Sequence, residues 1–203
     1  MASFRIGYFV GSLATGSINR TLSRALIKLA PEELEFTEIP IKDLPLYSYD
    51  YDADYPPEGQ ALKDSIEASD GILFVSPEYN RSIPGALKNA IDWASRPWGT
   101  NSFARKPTGI IGASPGSIGT AVMQSSMRSV LSFLDAPQLN APEVYIQFKP
   151  EVFGEDGEVH DESTAKFLRH YMEEYSAFVQ RVLDASAPGH IGDPEPDPDK
   201  LSR

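Results

Sequence analysis

The 203-residue chain contains no cysteine, and this one absence removes disulfides, thiolate nucleophiles and cysteine-ligated metals. Histidine is nearly as scarce: only His160, His170 and His190 occur, all in or near the C-terminal part. They are not grouped with acidic residues at ligand spacing, so a metal centre has no donor set. Eighteen Lys and Arg face 29 Asp and Glu, for a net charge of −11 and a pI near 4.7. That balance excludes a sequence-independent grip on nucleic acid. It still permits one bound phosphate, because a few backbone N–H groups can hold it locally. No apolar run approaches the roughly 18 residues of a spanning helix. The N-terminal MASFRIGYFV shows no basic segment leading into a long apolar one. The expectation is a cytoplasmic protein without a membrane segment.

What is present fits one globular domain, with 41% hydrophobic and 23% charged residues. The domain is expected over residues 1–186. Beyond Ala187 the prolines 188, 194, 196 and 198 alternate with aspartates. Such a stretch cannot bury a core, so residues 187–203 are expected to be a disordered acidic tail. Along the domain, apolar stretches at Phe4–Val10, Glu33–Ile39, Gly71–Val75, Thr108–Ala113 and Val144–Ile146 read as strands. Between them, helical faces run through Leu22–Leu29, Leu62–Ile66, Leu87–Ala94 and Met123–Leu134. A longer face follows at Phe167–Leu183. Pro40–Pro57, rich in proline, tyrosine and aspartate, is expected to be a long loop rather than a core element. Five strands alternating with helices predict a parallel sheet covered on both faces. A flavodoxin-like α/β three-layer sandwich, order 2-1-3-4-5, fits that count and collects ligands outside the C-terminal strand ends.

Three polar turns follow predicted strands. In Gly11–Arg20, two glycines let successive N–H groups turn inward, and Ser12, Ser17 and Asn19 add side-chain donors ahead of a helix N-terminus. A capped helix in a polar loop is the simpler alternative. The turn is not a Walker loop, since Ser17 stands where lysine is needed, and it lacks the dinucleotide G-x-G-x-x-G. In the second turn, Pro77–Asn80, Tyr79 can flank a planar ring while Asn80 donates and accepts at its rim. A structural loop with a tyrosine lid remains the alternative there. The third, GASPGSIGT from Gly112, matches the G-x-S-x-G serine elbow but fails its mechanism: Pro115 has no N–H for the oxyanion hole. Ser114 is better suited to donating a hydrogen bond to a ring. Asp50, Asp52 and Asp54 lack the glycine and distal glutamate of a calcium loop.

GSLATGSINRTL, PEYNRSIPGALKNAIDW and GASPGSIGT together resemble the NADPH-dependent FMN reductase family, in particular its quinone and chromate reductase branch. The resemblance runs from about residue 4 to residue 183. It implies a flavodoxin-like fold holding FMN non-covalently, with NADPH or NADH as reductant. It would place Ser12, Ser17, Ile18 and Asn19 at the phosphate. Pro77, Glu78, Tyr79 and Asn80 would edge the isoalloxazine, and Ser114 and Gly116 would close its far side. It also implies a homodimer, or a dimer of dimers in which one subunit walls the flavin of the next.

Three positions depart from the pattern. Ala14 stands where relatives often carry arginine, with Arg20 and Arg81 as the candidate replacements for that charge. Arg81 replaces a common aromatic residue and is expected to face the open side of the ring or a subunit boundary, serving substrate or nicotinamide. Val122 replaces a common arginine in a packing segment. The activity implied is a ping-pong transfer from NAD(P)H through FMN to quinones or other oxidised acceptors. No side chain is assigned as acid, base or nucleophile. The alternative is a flavodoxin-type electron carrier or an FMN-binding redox sensor.

Overall fold

A computed structural model describes residues 3–186; the expected tail lies outside the described residues. Five parallel strands form one sheet in the order β2-β1-β3-β4-β5. They are β1 (Phe4–Val10), β2 (Leu34–Glu38), β3 (Gly71–Val75), β4 (Thr108–Ser114) and β5 (Tyr145–Gln147). The helices are α1 (Ile18–Leu29), α2 (Pro57–Glu67), α3 (Gly85–Ala94), α4 (Ala121–Phe133) and α5 (Glu162–Ala185). This is the flavodoxin-like order expected from the strand count.

Strand alternation divides the core. Leu73 and Val75 of β3 point into one hydrophobic cluster with Leu22 and Leu26 of α1 and with Leu168, Tyr171, Met172 and Tyr175 of α5. Ile72 and Phe74 point the other way, to Leu62 and Ile66 of α2, Leu87 and Ile91 of α3, and Met127 of α4. Because successive side chains of a strand take opposite faces, an apolar run such as GILFV requires cover on both sides. Each fully buried Leu, Ile or Phe contributes about 1.5–3 kcal/mol relative to exposure, so this strand is central to stability.

The segment before α2 differs from the expected loop. It contains a 3-10 turn at Tyr49–Ala53, and Tyr47 and Tyr55 pack against the second cluster. The cause is Trp93, which is fully buried and ringed by Tyr47, Tyr51 and Tyr55 at centroid distances of 5.2, 5.3 and 5.1 Å. Trp93 Nε1 donates to the Pro45 carbonyl at 2.7 Å. Asn89, one turn earlier, donates to the same carbonyl at 2.9 Å and accepts from the Tyr47 amide. The i, i+4 pair in KNAIDW therefore straps the loop to α3.

Candidate functional site

In a parallel sheet the strands all end at one edge, and here the ends of β1, β3 and β4 are stitched together. The Gly11 amide donates to Val75 O at 2.9 Å, and the Ser76 amide to Ile111 O at 3.0 Å. A Cβ on Gly112 would sit 2.0 Å from the Ser76 carbonyl oxygen, and one on Gly11 would sit 2.3 Å from Ser76 Oγ. The three chains can approach this closely only because neither position carries a side chain. Sequence reading did not single out Ser76; a fully buried serine closing an apolar strand was the available signal.

The first turn leaves a row of hydrogen-bond donors without partners among the described residues. Ser17 is the N-cap of α1 and its Oγ accepts from the Arg20 amide at 3.4 Å, which leaves the hydroxyl proton uncommitted among the described residues. The amides of Thr15, Gly16, Ser17 and Ile18 donate to nothing among the described residues. A Cβ on Gly16 would meet nothing within 4 Å, so open space lies against these donors. The positive end of α1 points at the same place. Ser12 is buried, and its Oγ accepts from the Ala14 amide at 3.3 Å.

Asn19, expected to use its side chain at the phosphate, is placed differently. Its Nδ2 donates to Ala113 O and its Oδ1 accepts from Ala113 N, both at 2.9 Å. The side chain ties α1 to β4, and the residue is buried. Arg20 is likewise engaged: its guanidinium forks onto both oxygens of Glu38 at 2.7 and 2.8 Å and holds that carboxyl below its ordinary range. It does not replace the charge absent at Ala14.

The second turn is a two-residue hairpin. Tyr79 and Ser82 exchange backbone hydrogen bonds at 3.1 and 3.0 Å, and Asn80 and Arg81 between them have φ of 50° and 63°. Two consecutive positive φ angles define a type I′ turn, in which asparagine suits the first corner and glycine the second. Asn80 obeys that preference and Arg81 does not. The turn holds the Tyr79 ring half-exposed at the edge, while the Glu78 and Asn80 amides have no acceptor among the described residues.

The Glu78 side chain is turned toward α4, which leaves only its backbone amide for a ring at this edge. Its side chain is only 9% exposed, and Oε2 accepts from the Val122 and Met123 amides at 3.1 and 3.0 Å. The Thr120 side chain makes no capping bond to α4, so Glu78 caps that helix from the neighbouring loop. Its other oxygen accepts from Arg81 at 3.3 Å. In the third turn, the Ser114 hydroxyl contacts the Gly119 carbonyl at 2.7 Å and that of Gly116 at 3.2 Å. Its single proton is thus committed inside the loop instead of to a ring. Gly116 is exposed, and the nearest atom to a Cβ there would be Ser114 Oγ at 3.7 Å.

No group of three or more His, Asp or Glu able to hold a metal occurs among the described residues. Nor is any helix among them long and apolar enough to cross a membrane.

A doubly wound parallel sheet of order 2-1-3-4-5, with unpaired amides after β1 and β3 at the C-terminal strand ends, defines a flavodoxin-like protein. The profile of the NADPH-dependent FMN reductase family matches residues 4–151. A 2-hydroxy-1,4-benzoquinone reductase of a Burkholderia species is 47% identical over 178 residues, covering 88% of this chain and 97% of that relative. A quinone reductase of Escherichia coli K12 is 42% identical over 179 residues, 85% of this chain and 94% of its own length. Among solved structures, FerB, a flavoenzyme NAD(P)H:(acceptor) oxidoreductase from Paracoccus denitrificans, matches with a TM-score of 0.85 at 44% identity. That match covers 88% of this chain and 98% of FerB. The chain belongs to the NADPH-dependent FMN reductase family. It is an oxidoreductase whose cofactor is FMN and whose reductant is NAD(P)H. The unpaired amides, the Gly16 opening and the half-exposed Tyr79 fit such a group: a phosphate at one end, a flat ring at the other.

Proposed function

We propose that this protein takes electrons from NAD(P)H onto bound FMN and passes them to small oxidised acceptors, quinones foremost, in two half-reactions that share one site. The observation that carries this reading is the row of unengaged amides at Thr15–Ile18, Glu78 and Asn80 on one sheet edge. FMN supplies hydride acceptance from the nicotinamide and electron release to the acceptor.

The chain's part is to hold and orient. The Ser12 and Ser17 hydroxyls and the Thr15–Asn19 backbone seat the phosphate. Pro77, the Glu78 and Asn80 amides and the Tyr79 ring border the isoalloxazine, where amides aimed at its polar edge favour the negative charge that reduction places there. The backbone at Ser114 and Gly116 closes the other side. Tyr79, half exposed, leaves one ring face accessible, which suits two successive flat substrates better than a sealed pocket.

The reading extends to a cytoplasmic homodimer, or a dimer of dimers. Between α3 and α4 lies a groove of about 680 Å³ flanked by Trp98 and Phe133, which are 60% and 73% exposed. Large exposed aromatics beside such a groove suit a second copy.

The test is steady-state oxidation of NADPH and NADH by FMN-saturated protein across quinones, ferric chelates and chromate, with molar mass measured by light scattering on the same preparation. Parallel double-reciprocal lines with a quinone are the expected result. Protein that stays colourless after FMN saturation, or consumes no nicotinamide with any acceptor, refutes the reading. A flavodoxin-type carrier would be reduced only through a partner reductase.

A further inference from the structure

Resting on that reading, we propose that Arg81 determines acceptor specificity: it recognises quinones that bear an acidic hydroxyl next to a ring carbonyl, in their ionised form.

The three site loops, Gly11–Arg20, Pro77–Ser82 and Ser114–Thr120, carry two cations, Arg20 and Arg81, and the Arg20 guanidinium is already forked onto both oxygens of Glu38. On a chain of net charge −11, Arg81 is the loop cation whose two-pronged face is not already spent on a carboxylate, so it is the one left to meet an anionic acceptor. Its backbone conformation gives a second observation. At φ 63° it occupies the corner of a type I′ turn that glycine adopts without strain. Turn formation alone does not call for an arginine there; what it contributes is its side chain.

That side chain is aimed by an anchor that has little freedom to move. Glu78 Oε2 is held by the Val122 and Met123 amides at the start of α4, while Oε1 accepts a single bond from Arg81 Nη1 at 3.3 Å. The contact is one-pronged and the side chain is 63% exposed, so most of the guanidinium's five donors have no partner among the described residues. Glu78 thus tethers Arg81 by one prong without consuming its fork.

The fork suggests the ligand. A 2-hydroxyquinone is a vinylogous acid, ionised at neutral pH, with its charge shared between the hydroxyl-derived oxygen and conjugated carbonyl oxygen. Its deprotonated oxygen and the adjacent carbonyl oxygen lie side by side in the ring plane. Two adjacent in-plane acceptors match the planar, two-pronged geometry of guanidinium, which an ammonium cannot reproduce. An unsubstituted quinone lacks both the charge and the pair.

The experiment compares wild type with Arg81→Gly, which relaxes the turn, and Arg81→Lys, which keeps the charge and loses the fork. FMN-loaded protein is assayed with 2-hydroxy-1,4-benzoquinone and with 1,4-benzoquinone. Binding of the hydroxyquinone to oxidised protein without nicotinamide is measured by calorimetry. The ratio of kcat/KM for the hydroxyquinone over that for benzoquinone should fall ~10–100-fold in Arg81→Gly, the size of one charge-assisted recognition contact. The calorimetric Kd should rise in step, and Arg81→Lys should fall between. Equal losses on both acceptors, no change in the ratio, or a loss confined to kcat/KM for NAD(P)H overturns the proposal; the last would assign Arg81 to the nicotinamide. If Arg81→Gly fails to retain FMN, an unchanged ratio in Arg81→Lys still overturns it. Wild-type protein that reduces no quinone removes the underlying function as well, and is told apart because no variant is needed to see it.

Discussion

Replacing Glu78 by alanine separates a structural carboxylate from a cofactor ligand. The change removes the only side-chain acceptor among the described residues for the Val122 and Met123 amides, which lie 3.1 and 3.0 Å from Oε2, and releases Arg81. Loss of an N-cap interaction costs about 1 kcal/mol. Loss of a carboxylate from the positive end of a helix adds about 0.5–1 kcal/mol. The partial burial of the Met123 amide raises the total, because an unmade hydrogen bond there is not fully replaced by water; about 2–3 kcal/mol is expected. For a chain of this length that corresponds to a Tm lower by about 4–12 °C. Glu78→Gln keeps an acceptor of the same shape and should lose less than half as much. Urea unfolding of the apoprotein is the assay, with an unchanged m value confirming that the native state is comparably compact. FMN content is measured alongside. Both variants remaining within about 0.5 kcal/mol of wild type while FMN content collapses would refute the capping role and return Glu78 to the ring.

Other sites offer independent checks. Lys63 is buried and donates to the Ala94, Arg96 and Thr100 carbonyls and to the Thr100 hydroxyl, and burial pushes its ammonium below its ordinary pKa. Lys63→Met should cost about 2–4 kcal/mol in urea unfolding by leaving those carbonyls unpaired, and a cost under about 1 kcal/mol would contradict it. Gly112→Ala drives a Cβ into the Ser76 carbonyl and should destabilise by at least ~3 kcal/mol. Gly16→Ala meets nothing and should leave Tm unchanged while weakening FMN, as read by fluorescence titration. Asp161 caps α5, and the Thr164 hydroxyl, then the Ser163 hydroxyl and the Thr164 amide, pull its pKa from 3.8 to about 2. A depressed folded-state pKa means its stabilisation is present above the unfolded value and lost as pH falls through the folded one. Acid unfolding should therefore steepen between about pH 4 and pH 2, and Asp161→Asn should flatten that limb.

The strands and helix faces were legible because burial imposes a local period. GILFV requires cover on two faces, and the i, i+3, i+4 apolar positions of Phe167–Leu183 require a helix. The boundaries were less legible where capping rather than apolar residues sets them. The apolar face suggests that α1 starts at Leu22, but the Ser17 cap starts it at Ile18. The Pro40–Pro57 segment looked like an exposed loop because its tyrosines have no regular spacing; their order comes from Trp93, some forty residues later in the chain.

By itself the sequence determined the doubly wound sheet, the three turns that meet at its edge and, through PEYNRSIPGALKNAIDW, the family. These follow from short-range patterns: periodicity, glycine at turns, and a contiguous motif. Which atoms remain free to act was decided by tertiary structure. Asn19 meets Ala113 across 94 positions, Glu78 meets Met123 across 45, and Arg20 meets Glu38 across 18. A polar side chain in a list of residues carries the same donors wherever it stands. Only the folded chain engages some of them at distances near 3 Å and leaves the Ser17 hydroxyl proton, the Thr15–Ile18 amides and most of the Arg81 fork without a partner among the described residues.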